Sequence, residues 1–257
     1  MIRRRMHSQA GEHGTTLVEL NVTMIVLSVV VLATMTLIIG FERSNATNTS
    51  RQEQIDTARF SVETMSKTIR TAAKPAQISG ACSPSMCPED AFLLGADFGV
   101  QFYANLNNEG GSVGPSRVTY TVATSGPTAG QLIETVQRPD WPTPGSTGFV
   151  YCPATSPSAS ADCRDRYSTR VLAEGVLTQA GAPIFAYYTK GSDVPLDPAA
   201  FGGTLDGAEM ARVVAVEIML NVQEPNATRA APTQYVQRVM LPNVEAMIRQ
   251  QEDEATP

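Results

Sequence analysis

Imidazole is scarce in this chain. Of its 257 residues only His7 and His13 are histidines, and both precede residue 14. Beyond them, catalysis that uses imidazole as base or metal ligand is closed off. Positive charge is also short: 19 Lys+Arg stand against 25 Asp+Glu, a net charge of −6. A surface of that sign is no general nucleic-acid binder, and no specific nucleic-acid site is identified. A nucleophile elbow, a phosphate loop and a paired metal-ligand motif are all missing. Gly110-Gly111 and Gly202-Gly203 read as turn residues. Asp162, Asp165, Asp193, Asp197 and Asp206 lack the one-residue alternation of a calcium loop and read as a solvated surface. No repeat at a solenoid period is evident. The expectation is a protein without enzymatic activity, cofactor or metal.

Charge is missing altogether from Leu20 to Ile39. At about 1.5 Å per residue such a stretch makes a helix of roughly 30 Å, enough to cross a bilayer core. At its head lies Gly14-Thr15-Thr16-Leu17-Val18-Glu19-Leu20, preceded by Arg3, Arg4 and Arg5. Three arginines before an apolar span favour a cytoplasmic N-terminus. Glu19 is costly at the edge of hydrocarbon and so calls for a partner or a job, although a carboxylate at a helix start also favours the helix dipole. An ordinary secretory signal has an apolar core of about 7–15 residues ending in small residues; this run is longer and opens on a carboxylate.

Gly14, Leu17, Val18 and Glu19 before an uncharged span resemble the start of type IV prepilins and type II secretion pseudopilins. The resemblance implies a leader, residues 1–14, cut after Gly14 by a membrane-embedded prepilin peptidase, with methylation of the new N-terminal residue, Thr15. The family commonly begins its mature chain with Phe, where this sequence has Thr15. The resemblance also implies that Glu19, fifth in the mature chain, neutralises the terminal amine of a neighbouring subunit. A buried ammonium and a buried carboxylate are tolerable only as a pair, so the physics agrees. Other pilins or pseudopilins, met through the N-terminal helix, and the cytoplasmic membrane before assembly are then the partners.

Past the span, Ser44 to Ser50 is rich in residues that compete with their own backbone for hydrogen bonds, and with Gly40 it marks a stretch expected to flex or melt. Ile55, Ala58, Val62, Met65, Ile69 and Ala72 then recur at spacings of three and four, an amphipathic stripe suited to packing on a sheet, and Pro75 closes the helix. Cys82, Cys87, Cys152 and Cys163 form two close pairs beyond the span. An even number clustered locally fits disulfides Cys82–Cys87 and Cys152–Cys163 in an oxidising compartment. The competing four-cysteine zinc reading needs short knuckles on both sides, and the second pair has ten intervening residues. Sequon matches at Asn45, Asn48 and Asn226 are assigned no function.

From about residue 90 the period becomes two. Val118, Tyr120 and Val122 alternate with Arg117, Thr119 and Thr121, and the segment 130–137 follows as a hairpin partner. Val214, Val216, Ile218, Leu220 and Val222 share one face of a later strand, which Tyr235 to Leu241 can pair. Asp140 to Asp165 and Gly191 to Gly207 read as long surface loops. The order of these segments, with Val171 to Val176 and Phe185 to Gly191, is similar to the heads of large minor pilins and J-class minor pseudopilins.

The expected fold class is therefore α+β, a long N-terminal helix packed on an antiparallel β-sheet head. Its parts are a leader (1–14), a transmembrane and assembly helix (15–40), an amphipathic continuation (41–75), a β-rich head (76–249) and a polar tail (250–257). The resemblance implies a minor filament subunit, held first as a single-pass membrane protein with an extracytoplasmic head and then built into a surface or periplasmic filament. Two other readings stay open: a signal-anchored sensor or binding ectodomain, and a head whose loops after Pro139, with Trp141, form an adhesive or DNA-capturing tip.

Overall fold

The computed structural model describes residues 16–83, 85–87, 90–106, 108–179, 182–223 and 230–244. Gly14, Thr15, Asn226 and the tail from Gln250 to Pro257 lie outside the described residues. The fold is α+β, and the chain divides into two compact units, one ending at Asn48 and the other beginning at Thr49.

Helix α1 (Leu17–Ile69) runs 53 residues without a break. The expected melting at Ser44–Ser50 does not occur. Helix propensities differ by only about 0.7 kcal/mol per residue among ordinary side chains, and a hydroxyl can bond its own helix. Thr47 Oγ1 does so, donating to the Arg43 carbonyl at 3.0 Å. The unit boundary at Asn48/Thr49 still falls inside this polar stretch.

Within the second unit the helix buries Gln54, Ala58, Ser61, Val62, Met65, Ser66 and Ile69. Four of the six stripe positions expected from sequence are thus buried on α1, and Ala72 is buried just beyond its end. Ile55 is the exception, 39 % exposed, because Gln54 takes the inward position and hydrogen-bonds Thr233 at 3.3 Å. Ser61 Oγ lies 2.7 Å from the Thr57 carbonyl and 2.8 Å from that of Leu172, so a small polar side chain joins helix to strand where a large one would hold them apart. Pro75 does not close α1, which ends six residues earlier at Ile69; it opens a short helix, α2 (Pro75–Ile78), where a missing N–H costs nothing.

Strands β1 (Phe92–Ala96), β2 (Gly99–Ala104), β3 (Ser116–Val122), β4 (Leu132–Gln137) and β5 (Tyr167–Ala173) form an antiparallel meander in sequence order. A five-residue helix, α3 (Ala161–Asp165), leads into β5. The expected β3–β4 hairpin is present, with Val118 opposite Val136 and Val122 opposite Leu132. Strands β6 (Phe185–Thr189), β7 (Val213–Val222) and β8 (Thr233–Met240) make a second antiparallel sheet, with a short helix α4 (Gly207–Met210) before β7. One core serves both sheets and the buried face of α1, and its largest members include Tyr120, Tyr187, Phe92, Phe102 and Met65.

Tyr187 locks the sheets together. From β6 its hydroxyl stands 3.0 Å from both the amide nitrogen and the carbonyl oxygen of Ala96 and 2.9 Å from the Gly99 carbonyl, inside the β1–β2 turn. Gly95 leaves room for the ring: a Cβ there would lie 2.8 Å from Tyr187 Cζ and 2.6 Å from Met210 Sδ.

Candidate functional site

In the first unit the helix presents apolar side chains on all sides. Every large one from Leu17 to Phe41 is at least 44 % exposed, far more apolar surface than a soluble monomer leaves uncovered. The polar side chains of the uncharged run are bound to the helix itself. Asn21 donates to the Leu17 carbonyl at 3.0 Å, Thr23 to Leu20 at 2.8 Å and Ser28 to Met24 at 2.7 Å. Thr34 and Thr36 do the same toward Val31 and Ala33, at 2.9 and 2.8 Å. Each of these hydroxyls is satisfied without water, as hydrocarbon surroundings require, and Asn21 places one of its two amide N–H groups. The helix is long and apolar enough to cross a membrane.

Glu19 lies in the first turn of α1, exposed. Its backbone N–H donates to Thr16 Oγ1 at 3.3 Å, so Thr16 and Glu19 stand at the spacing of a capping box. The side chain thus suits the helix start by position alone.

The cysteines are joined as Cys82–Cys87 and Cys152–Cys163, with Cα separations of 5.8 and 6.0 Å, which sets the zinc reading aside. Ser160 caps α3 by accepting from the Cys163 N–H at 3.2 Å, and Asp140 Oδ1 accepts from the Cys152 N–H at the same distance. Both ends of the disulfide loop are therefore pinned. Trp141 is 72 % exposed next to Asp140, so it is not a packing anchor under the loop. Asp197 and Asp206 are N-caps, accepting from the amides of Ala199 and Ala208 at 2.9 and 2.8 Å. Among the described residues no group of three or more His, Cys, Asp or Glu side chains could hold a metal ion.

Two arrangements escaped the sequence reading. Glu134 is buried on β4 between Tyr120 on β3 and Arg170 on β5; Tyr120 Oη donates to its Oε1 at 2.7 Å, and Arg170 grips both of its oxygens. The signal was present in the alternation Leu132, Glu134, Val136, which sets a carboxylate on the core face. Burial pushes the Tyr120 hydroxyl well above the usual tyrosine pKa, and the neighbouring Glu134 carboxylate pushes it the same way. With the carboxylate buried and bonded from both sides, the trio reads as a satisfied ionic crosslink between three strands.

On the opposite face of the same sheet the loop after Pro139 folds over the outward residues of β2, β3 and β4. It leaves a groove of about 340 Å³ with Gln101, Thr119, Thr121 and Thr135 on the strands and Pro153 to Thr155 along one side. Arg117 donates to Gln137 Oε1 at 2.5 Å and stacks 4.7 Å above the Tyr151 ring. Gln137 in turn donates to the Cys152 carbonyl at 2.5 Å, tying the strand to the disulfide loop.

No protein-family model matches this chain, and neither the curated proteins nor the solved structures compared with it return a match.

Proposed function

We propose that the protein is a minor subunit of a type IV pilin-like filament, a pilus or a secretion pseudopilus, with no enzymatic role. The observation that carries this reading is the first unit: an uncovered apolar helix whose hydroxyl and amide donors are bonded internally and whose one carboxylate in the apolar run stands at its very start. Such a helix is at home in lipid and equally in a bundle of identical apolar helices. Passage from one to the other is what assembly demands. Prepilin peptidase would cut after Gly14, and the new amine of Thr15 would pair with Glu19 of a neighbour.

Glu19 has two separable roles, and substitution distinguishes them. Gln at the same position can still serve a capping box but carries no charge. Leaving an ammonium buried without its carboxylate costs about 3–5 kcal/mol. Glu19→Gln and Glu19→Ala are therefore both expected to leave processing and the folded head intact and to lower incorporation into sheared filaments at least about tenfold, a conservative conversion of that cost. Quantitative blotting of sheared and cell-bound fractions measures it. Normal incorporation of Glu19→Gln would mean that the carboxylate only starts the helix.

A signal-anchored ectodomain is the alternative reading. It would keep residues 1–14 and stay with the membrane fraction on shearing.

A further inference from the structure

We propose that the groove on the outer face of the five-stranded sheet binds a carboxylated pyranose, a single acidic sugar unit, with the Arg117 guanidinium taking the carboxylate. This stands independently of filament assembly. The volume of about 340 Å³ is at the small end of ligand sites, suited to one ring. Its floor is a row of neutral hydrogen-bonding side chains. Gln101, Thr119 and Thr135 stand opposite one another on β2, β3 and β4, and directly opposed side chains lie about 4.5–5.5 Å apart. Gln101 Nε2 donates to Thr119 Oγ1 at 2.9 Å, which orients both. An apolar ligand would desolvate these groups without replacing their hydrogen bonds; a ring of hydroxyls, each donor and acceptor at once, replaces them. Tyr167, which lines the end of the groove, adds an aromatic surface of the kind on which sugar C–H groups pack.

The charge pattern narrows the class. Among the described residues no carboxylate lines the groove, in a chain with an acidic excess, and Arg117 is the one cation that does. Arg117 has no carboxylate partner among the described residues, and its hydrogen bond to Gln137 uses one of the five N–H donors of a guanidinium. Gln137 and the Tyr151 ring hold that guanidinium in place before any ligand arrives. A fixed fork with spare donors is built for a planar carboxylate. A single cation is too little for a nucleic-acid track.

The test is saturation-transfer NMR and titration on the full chain in a detergent whose headgroup is not a sugar, with glucuronic acid, glucose and acetate as probes. Glucuronate is expected to bind saturably, with glucose and acetate each at least tenfold weaker. Arg117→Gln is expected to bring glucuronate down to the level of glucose. Because Arg117 also supports the loop, Thr135→Val provides a second variant that leaves that support alone; it is expected to weaken both sugars severalfold and acetate not at all. No saturable glucuronate binding, glucuronate no tighter than acetate, glucose as tight as glucuronate, or insensitivity to either variant would each overturn the proposal.

Discussion

Raising the pH above 10 is expected to unfold the head cooperatively. Tyr120 and Tyr187 are the cause: burial raises both hydroxyls above the usual value of 10.0, so the folded state keeps them neutral where the unfolded chain would ionise them. Above pH 10 the unfolded state therefore binds fewer protons, and stability falls with pH. Their contribution is fully present below 10 and is lost progressively as pH climbs from 10 toward the raised values of the folded state. Each buried phenol accounts for about 1.4 kcal/mol per pH unit, and the pair for about 2.7 kcal/mol. Two units above 10 then remove about 5 kcal/mol, comparable to the whole stability of a modest domain. Circular dichroism and phenolate absorbance followed together check this. The two signals should move in one transition near pH 12, and Tyr187→Phe should flatten the pH slope by about half while lowering stability at neutral pH by about 1–3 kcal/mol, since it leaves groups inside the β1–β2 turn unpaired. If all seven tyrosines titrate with the fold intact, the buried placement of these two is refuted.

The second large effect is expected at Met65. This side chain is fully buried on the helix face that meets the sheets, and truncation to alanine removes its contacts and leaves a cavity, a cost of about 2–5 kcal/mol. Ile55→Ala, one stripe position that the structure leaves 39 % exposed, should change stability by no more than about 0.5 kcal/mol. Chemical denaturation of both variants separates the two cases. Equal losses would mean that the stripe read from spacing alone, with Ile55 inside, describes the packing better than the structure does.

That contrast indicates what was legible from residues. Strand β3 and the second half of β7, from Val216 to Val222, alternate cleanly because one of their faces is buried, and burial writes period two into a sequence. The α1 stripe was legible except at its start, where Gln54 displaced Ile55 through a hydrogen bond that composition does not encode. The division into two sheets was not legible. It rests on Tyr187 entering a turn 91 residues away in sequence and on the space left by Gly95. The pairing of the cysteines followed from their closeness in the chain. The outer groove did not, because it depends on where an aperiodic loop settles, and the pins that hold that loop are single contacts of Gln137, Asp140 and the disulfide.

Helix α1 persists through Ser44–Ser50. A polar stretch that is helical yet low in propensity sits at the junction between the apolar unit and the head. Its hydroxyls can bond either helix or solvent, so the cost of loosening it is small compared with that of disturbing the buried face beyond Gln54.

Cleavage after Gly14 separates a filament subunit from a signal-anchored ectodomain. Intact-mass and N-terminal peptide mass spectrometry on protein expressed in its own host reads this directly. Processing as a filament subunit predicts a chain that begins at Thr15 with one methyl group on its amine. A chain that still begins at Met1, or one cut beyond the apolar helix, would contradict it.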